Sequence, residues 1–210
     1  MARPFAAIAL VVAIPCAPLP AQQHAIWVDA SGGVKSGAQR VALSGWYRVV
    51  HLAGRLELGL GARATAYAGE PVGYINRESV GGNFASTVLI DPAVYALDAG
   101  VFGELKLIGP VAVGANLDVL GVATGPRRRT GPLEAKPEAG SYFAYSSSDH
   151  GALNSEFYVS WRIVPRVRLR GGMSHYVTDY TVTDAAAAGS PSRRYQKFQT
   201  VPFLAIGLQL

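Results

Sequence analysis

The chain has 210 residues, of which 50% are hydrophobic and 16% charged, and its formal net charge is +5. This length suits one large domain, and no interior apolar run approaches the roughly 18–20 residues that a transmembrane helix needs. The single cysteine, Cys16, excludes a disulfide framework, and the four scattered histidines have no metal-ligand spacing. The apolar residues are therefore numerous but interleaved with polar ones.

Residues 1–21 have the pattern of a secretory signal peptide. Arg3 supplies the positive start, and residues 5–14 (FAAIALVVAI) form an apolar core that is too short for a stable anchor. A proline directly before Cys16 argues against a lipoprotein signal. We therefore expect export and a mature domain of residues 22–210 that contains no cysteine.

Alternating sequences predict the strands of the mature chain. Successive side chains of a strand point to opposite faces, so an apolar residue at every second position marks a strand with one apolar face. Eight segments have this pattern, the last of them ending the chain: 24–30, 39–50, 55–67, 95–107, 111–123, 153–163, 167–177 and 197–210.

The connections between these strands are of two kinds. Short turns are predicted where glycine, proline or serine breaks the alternation, at 31–38, 51–54, 109–110 and 164–166. Three longer stretches lack strong alternation and are predicted as loops, 68–92, 124–149 and 180–196.

The ionisable residues of the predicted strands share the face opposite to the apolar one, with His175 as the exception. A soluble ligand-binding barrel of the lipocalin type turns the apolar face inward, whereas a transmembrane barrel turns it outward to lipid. The transmembrane barrel is favoured by the few charges, by the mixture of both signs with Gly, Ala and Ser on the polar face, and by short turns and long loops at opposite ends. Aromatic residues near strand ends, such as Tyr47, Tyr95 and Trp161, fit a lipid-facing surface.

In such a barrel the polar face forms the lumen. We name the ionisable residues predicted to point into it the lumen charges, and Asp29 of the short first strand could join them. The predicted lumen charges are Arg40, Arg48, Arg55, Glu57, Arg63, Asp98, Glu104, Lys106, Asp118, Glu156, Arg162, Arg168 and Arg170.

With these strands and faces, residues 22–210 resemble the small eight-stranded outer-membrane β-barrel family of Gram-negative bacteria. The resemblance implies an all-β fold, an eight-stranded antiparallel up-and-down transmembrane β-barrel in the outer membrane. It also implies insertion by the barrel-assembly machinery and contact with membrane lipid and lipopolysaccharide. We expect a monomer that binds no nucleic acid and no cofactor. The family's last strand commonly ends in a lipid-facing aromatic residue, and Leu210 stands there instead, which weakens the expected assembly signal.

The lumen charges permit two functions. An eight-stranded barrel is only wide enough to be filled by its side chains, so paired charges would form a plug. An incompletely filled lumen would instead be an anion-selective pore. We expect the plug, with Glu104 and Glu156 near its centre, and we expect the surplus arginines to share a carboxylate or to stack on aromatic side chains.

Two further sets of residues invite a chemical interpretation. Ser174 and His175 resemble, in residue type, the catalytic residues of the lipid A 3-O-deacylases, barrels whose His and Ser lie two apart on one face and are followed by Asn. Here the two are adjacent, so they point to opposite faces and predict no catalytic pair. Residues 127–129 (RRR) could contact lipopolysaccharide phosphates or be a solvated loop. We therefore predict a non-enzymatic barrel with a structural, membrane-integrity or surface-contact role. A deacylase-like enzyme and a small-solute channel are the alternatives.

Overall fold

The structure, a computed structural model, describes residues 25–77, 87–143, 149–184 and 192–210. The predicted signal peptide, 1–21, lies outside the described residues. None of the described residues belongs to a helix long and apolar enough to cross a membrane. The strands within them are β1 (Ile26–Lys35), β2 (Ala38–Leu52), β3 (Leu56–Gly69), β4 (Val72–Asn76), β5 (Thr87–Ile90), β6 (Ala93–Lys106), β7 (Val111–Thr124), β8 (Arg128–Thr130), β9 (Leu133–Pro137), β10 (Gly140–Tyr142), β11 (Ala152–Val164), β12 (Val167–Asp184) and β13 (Arg193–Gln209).

Eight of these strands close into a barrel. Each pairs with the next in the order β1, β2, β3, β6, β7, β11, β12, β13, and every pairing is antiparallel. The ring closes because β13 also pairs with β1, with Trp27 opposite Gln209. Closure leaves the barrel without an open edge. The predicted eight-stranded antiparallel up-and-down barrel is therefore confirmed.

The first strand is longer than its alternation indicated. β1 continues to Lys35, so the predicted loop 31–38 shrinks to the turn Ser36–Gly37. A glycine is needed at position 33 because β13 passes close to it. An added Cβ would lie 2.9 Å from the Pro202 carbonyl oxygen. Gly37 has a φ of 73°, a left-handed conformation that glycine adopts at little cost.

The predicted long loops are partly built from strands. β4 and β5 form a hairpin within 68–92, and β8, β9 and β10 lie within 124–149. These strands pair with the barrel itself, β4 with β13, β9 with β12 and β10 with β7. The third predicted loop, 180–196, is shorter because β12 runs to Asp184 and β13 begins at Arg193. The sheet therefore continues beyond the barrel at the end that carries the long connections.

The two faces of the barrel are inside out relative to a soluble protein. Leu60 and Leu204 are 56% and 75% exposed on the outer face, whereas Arg63 on the inner face is 1% exposed. Soluble proteins bury leucine and expose arginine, because removing an ionised group from water costs free energy, whereas removing an apolar group from water is favourable. The observed distribution is that of a barrel whose exterior is in contact with lipid.

A β-bulge in β7 reverses which side chains point into the barrel in the part of the strand that follows Asp118, nearer the long connections. Gly100 pairs with Asp118 and Ala99 with Leu120, so Val119 is an extra residue in the ladder. The strict alternation of the sequence puts Leu120 on the polar face, and this expectation is wrong, because the bulge turns Leu120 outward, where it is 58% exposed.

Glycines on the inner face lie beneath aromatic rings of neighbouring strands. A Cβ at Gly59 would lie 2.3 Å from the Phe102 ring, and a Cβ at Gly114 would lie 2.7 Å from the Tyr158 ring. Rings that cover glycines in this way fill a narrow lumen without pushing the strands apart. This packing accounts for glycines at inner-face positions such as 59 and 114.

The outer face generates the first prediction. Val101 lies near the middle of the stretch of β6 that turns apolar side chains outward. We expect Val101→Arg to prevent folding into lipid vesicles, because arginine near the bilayer midplane costs about 2–4 kcal/mol. Ile108→Arg, in the exposed turn after the same strand, is the matched control and should fold, since the cost near the interface is about 0–1 kcal/mol. Heat-modifiable migration in gels measures folding, and equal behaviour of the two variants would contradict the outward placement of Val101.

Candidate functional site

The middle of the lumen is organised around one carboxylate, Glu156 on β11. Arg40 forms an ion pair with it, and the guanidinium nitrogens of Arg63 and Arg170 lie 3.4 Å from its Oε2. Asn116 Nδ2 donates a hydrogen bond to the same oxygen at 2.7 Å. We name these five residues the Glu156 cluster; all are at most 3% exposed. Four barrel strands besides β11 contribute to it, so the cluster ties opposite sides of the barrel together.

A second carboxylate, Asp29 on β1, extends the network toward the short turns. Arg168 Nη2 and Arg170 Nη2 lie 3.2 Å and 3.1 Å from Asp29 Oδ2. Arg168 Nη1 is also 3.4 Å from Glu104 Oε2. Glu104 is thus paired but lies toward one end of the lumen, whereas Glu156 is at its centre. Asp29 thus joins the lumen charges, as its place on the polar face of the first strand allowed. Its arginine partners were not predictable, because they depend on the pairing of β1 with β13 and β2.

The end of the lumen near the short turns contains a further paired carboxylate. Glu57 Oε1 lies 2.9 Å from both Arg48 Nη1 and Lys106 Nζ. A cavity of about 90 Å³ opens beside this group, and Lys106, Arg162 and Arg168 are among its lining residues. Arg162 has no carboxylate partner among the described residues, and its guanidinium carbon lies 5.6 Å from the centre of the Trp27 ring.

Two further lumen carboxylates lie beside Arg63 of the Glu156 cluster. Asp98 on β6 is buried opposite Arg63, and neither of its carboxylate oxygens has a hydrogen-bond partner within the described residues. Asp118 Oδ2 is paired, 3.4 Å from Arg63 Nη1, and it also accepts a hydrogen bond from the Asn154 backbone N–H at 3.1 Å.

Arg55 is a correction. It lies in the exposed turn between β2 and β3, where its backbone N–H donates to the Leu52 carbonyl at 3.0 Å. The turn contains Ala53 and Gly54 with φ of 48° and 69°, and the ladder resumes only at Leu56. The prediction that Arg55 points into the lumen is therefore wrong.

Several arginines of the lumen also stack on aromatic rings. The guanidinium carbon of Arg168 lies 4.2 Å from the centre of the Trp27 ring, and that of Arg170 lies 4.6 Å from the centre of the Tyr158 ring. Cation–π contacts of this kind are strongest where water is excluded. The expected stacking of arginines on aromatic side chains is present in the lumen.

Tyrosines fill the lumen at the end with the long connections. The Tyr67 and Tyr176 ring centres are 4.6 Å apart, and the Tyr74 hydroxyl is 2.9 Å from Thr178 Oγ1. We name the buried tyrosines of this end the tyrosine layer. Its members are Tyr67, Tyr74, Tyr176, Tyr180 and Tyr195. The charges and this layer together occupy the lumen along its length.

Outside the barrel wall, above the apolar exterior, Asp179 on β12 is a buried carboxyl. The Gly151 backbone N–H donates to its Oδ2 at 3.1 Å, and Arg194 Nη1 lies 3.7 Å from the same oxygen. Burial raises the pKa of Asp179 to about 7, although the hydrogen bond and the guanidinium act in the opposite direction. This carboxyl therefore changes its protonation state near neutral pH.

Ser174 and His175 point to opposite faces. Ser174 Oγ donates to Asn154 Oδ1 at 2.6 Å inside the barrel, whereas His175 is exposed on the outer face. The neighbours of His175 are instead Ser155 and Thr200, its register partners on β11 and β13. We name Ser155, His175 and Thr200 the outer polar row. No sequence spacing signals it, because it depends on the register of three strands.

The basic tripeptide 127–129 lies on the β8–β9 hairpin. Arg127 and Arg129 lie 2.8 Å and 3.5 Å from the two carboxylate oxygens of Glu134, and Arg128 lies 3.7 Å from Asp91. Three guanidiniums thus share two carboxylates at the exposed surface. Within the described residues no three His, Cys, Asp or Glu side chains converge as metal ligands.

No protein-family model and no curated protein matches the chain. Among solved structures it is similar to Neisserial surface protein A (NspA), with 16% identity over 89% of this chain and 97% of that one and a TM-score of 0.48. A major outer membrane protein from Thermus thermophilus shares 12% identity over 90% and 100%, with a TM-score of 0.43. OmpT without its loop L8, an outer membrane protein of Vibrio cholerae, shares 16% over 88% and 58%, with a TM-score of 0.27. The barrel fold itself rests on the strand pairings of this chain.

The Glu156 cluster generates the second prediction. Glu156→Gln leaves three buried guanidiniums without their shared negative charge, and breaking a buried ion pair costs about 3–5 kcal/mol. We expect the free energy of unfolding, measured by urea titration in lipid vesicles, to fall by that amount. Glu134→Gln is the matched control, because it also removes a carboxylate shared by two arginines, but at the surface, where such pairs contribute about 0–1 kcal/mol. Equal losses in the two variants would show that the lumen is hydrated enough to screen its charges.

Proposed function

We propose that this protein is an integral outer-membrane β-barrel with a plugged lumen, and that it serves membrane integrity or surface contact. The observation that carries the proposal is the combination of a buried Glu156 cluster with an exposed apolar exterior. The buried charges require a closed interior in which each finds an oppositely charged partner. The exposed apolar exterior is unfavourable in water and requires lipid around it. One barrel in a membrane satisfies both requirements.

The apolar exterior supports the membrane location. Large hydrophobic side chains are exposed on the outer face of the barrel strands, among them Val41 at 65%, Phe157 at 65% and Leu204 at 75%. Soluble monomers rarely expose contiguous apolar surface on this scale, because it drives association. Lipid tails are the solvent that such a surface fits.

The asymmetry of the two ends supports an orientation. In outer-membrane barrels the short turns lie in the periplasm and the long loops lie outside the cell. The start of β1, the end of β13 and the short turns of β2–β3, β6–β7 and β11–β12 lie at one end of this barrel, and β4, β5, β8, β9 and β10 lie at the other. We assign the first end to the periplasm and the second to the cell surface, where the added strands can contact lipopolysaccharide or other surfaces.

The filled lumen argues against a channel. A conducting pore needs a continuous path for hydrated ions, whereas here the lumen charges other than Asp98 are paired with opposite charges or stacked on aromatic rings, and the tyrosine layer lies above them. The inward position of Ser174 argues against a deacylase-like enzyme, because its hydroxyl is bonded to Asn154 on the far side of the wall from His175. We therefore assign the protein no transport and no catalysis, and we expect it to act as a monomer after insertion by the barrel-assembly machinery.

Conductance tests the plug. We expect the wild-type protein, reconstituted in planar bilayers, to show no steady current, because most of its lumen charges are paired and its tyrosine layer fills the end with the long connections. Reconstitution is checked in parallel by heat-modifiable migration of the same sample. A steady, anion-selective current would overturn the plug and support the channel.

Cysteine labelling tests the orientation, since the expected mature domain has no cysteine of its own. Lys136 on β9 and Arg166 in the β11–β12 turn are both exposed, at opposite ends of the barrel. We expect a membrane-impermeant maleimide to label Lys136→Cys on intact cells, and to label Arg166→Cys only after the outer membrane is permeabilised. The reverse result would invert the topology.

A further inference from the structure

Two arginines face each other in the lumen at the end with the short turns. Arg162 on β11 and Arg168 on β12 are register partners, and both guanidiniums lie against the ring of the buried Trp27, 5.6 Å and 4.2 Å from its centre. Like charges directly opposite each other on neighbouring strands repel and are unfavourable. A negative charge beside the pair would offset this repulsion.

The carboxylates of the lumen supply that charge to Arg168 but not to Arg162. Arg168 Nη2 lies 3.2 Å from Asp29 Oδ2, and its Nη1 lies 3.4 Å from Glu104 Oε2. Arg162 contacts only the uncharged Trp27 ring, and no carboxylate of the residues that the structure describes pairs with it. The donors of its guanidinium are therefore available to a ligand.

Positive charge is in excess at this end of the lumen. Glu57 is already shared by two cations, and Asp29 also serves Arg170 further in. Charges removed from water are costly unless each finds an opposite charge. The carboxylates of this end are Asp29, Glu57 and Glu104, and its cations are Arg48, Lys106, Arg162 and Arg168.

The cavity of about 90 Å³ lies at this excess. Lys106, Ser160 and Arg162 are on its wall, together with Gly109 and Pro110 of the β6–β7 turn. One water needs about 10–15 Å³, so the cavity has room for a group of several atoms. The Lys106 side chain is 30% exposed, which shows that solvent reaches this end of the lumen.

The donors on the wall suit an oxyanion. A guanidinium presents a planar fork that matches two oxygens of a phosphate or carboxylate. The Lys106 ammonium has three donors, of which Glu57 takes one, and the Ser160 hydroxyl can donate another hydrogen bond. Glu104 is also on the wall, but Arg168 offsets its charge.

We propose that this cavity binds one phosphate group, held by Arg162 and Lys106. The Glu156 cluster fills the lumen further in, so the anion binds at this end without passing through the barrel. The proposed orientation places the cavity at the periplasmic end, where the group would come from free phosphate or from the headgroup of an inner-leaflet lipid. Binding itself requires only the closed barrel.

Isothermal titration calorimetry with inorganic phosphate tests the site on the folded protein in a non-ionic detergent at constant ionic strength. We expect one site in the wild type and about tenfold weaker binding in Arg162→Gln, the effect of losing a charge-assisted hydrogen bond. Arg166→Gln is the matched control, because Arg166 is exposed in the β11–β12 turn at the same end of the barrel and outside the cavity wall. It should bind as the wild type does.

Arg162→Lys provides a second variant that keeps the charge and removes the planar fork. We expect its affinity for phosphate to lie between those of the wild type and Arg162→Gln. Arg162 has no carboxylate partner to leave unpaired, so both variants should fold, and heat-modifiable migration of the same samples checks this.

A lipid titration followed by native mass spectrometry distinguishes the two sources of the phosphate group. The probe is dilauroyl phosphatidylglycerol, and retention that Arg162→Gln weakens would assign the site to a headgroup. Retention independent of Arg162, with Arg162-dependent binding of inorganic phosphate, would assign it to the free anion. The proposal is overturned if neither ligand binds in a way that depends on Arg162, or if Arg166→Gln loses as much affinity. Bilayer current reports separately on the plug, so its failure is distinguishable from failure of the anion site.

Discussion

The fold depends on pairing buried charges inside a barrel that has no room for bulk water. Glu156 alone engages Arg40, Arg63 and Arg170. Each of these charges would be too costly to bury unpaired, and together they link strands that are distant in sequence. The narrow interior also requires glycines beneath the aromatic rings, because a larger residue would clash with them. Since the polar side chains face the interior, the other face of each strand is apolar and forms the exterior. The interior network and the lipid-facing surface are two results of one closed sheet.

The period of two in the sequence was sufficient to predict the eight strands, their antiparallel order and which face carries the charges. It could not predict which residues meet across strands, because neighbours are set by register. Asp29 therefore joins Arg168 and Arg170 without a sequence signal, and His175 lies beside Ser155 and Thr200 rather than Ser174. These cross-strand neighbours make up much of the candidate site.

Other differences have local physical causes. A single extra residue, Val119, turns the upper half of β7 over, and a turn with two positive φ angles leaves Arg55 outside the ladder. The strands of the long connections were hidden for another reason. Near the end of β12, Tyr180 is buried on the inner face and Asp179 on the outer face, where Gly151 contacts it. Alternation fades wherever both faces of a strand are covered.

The meeting of the first and last strands has a consequence for the order of assembly. The Leu210 N–H donates to the Ile26 carbonyl at 3.0 Å, so the two ends of the barrel domain are neighbours at one rim. Contacts between such distant parts of a chain form slowly, because a long loop must close before they contribute. Until β13 arrives, β1 and β12 both present open edges that can pair with any other chain. A partner that pairs with the open edge of β1 or β12 during insertion would therefore protect the whole barrel from misassembly.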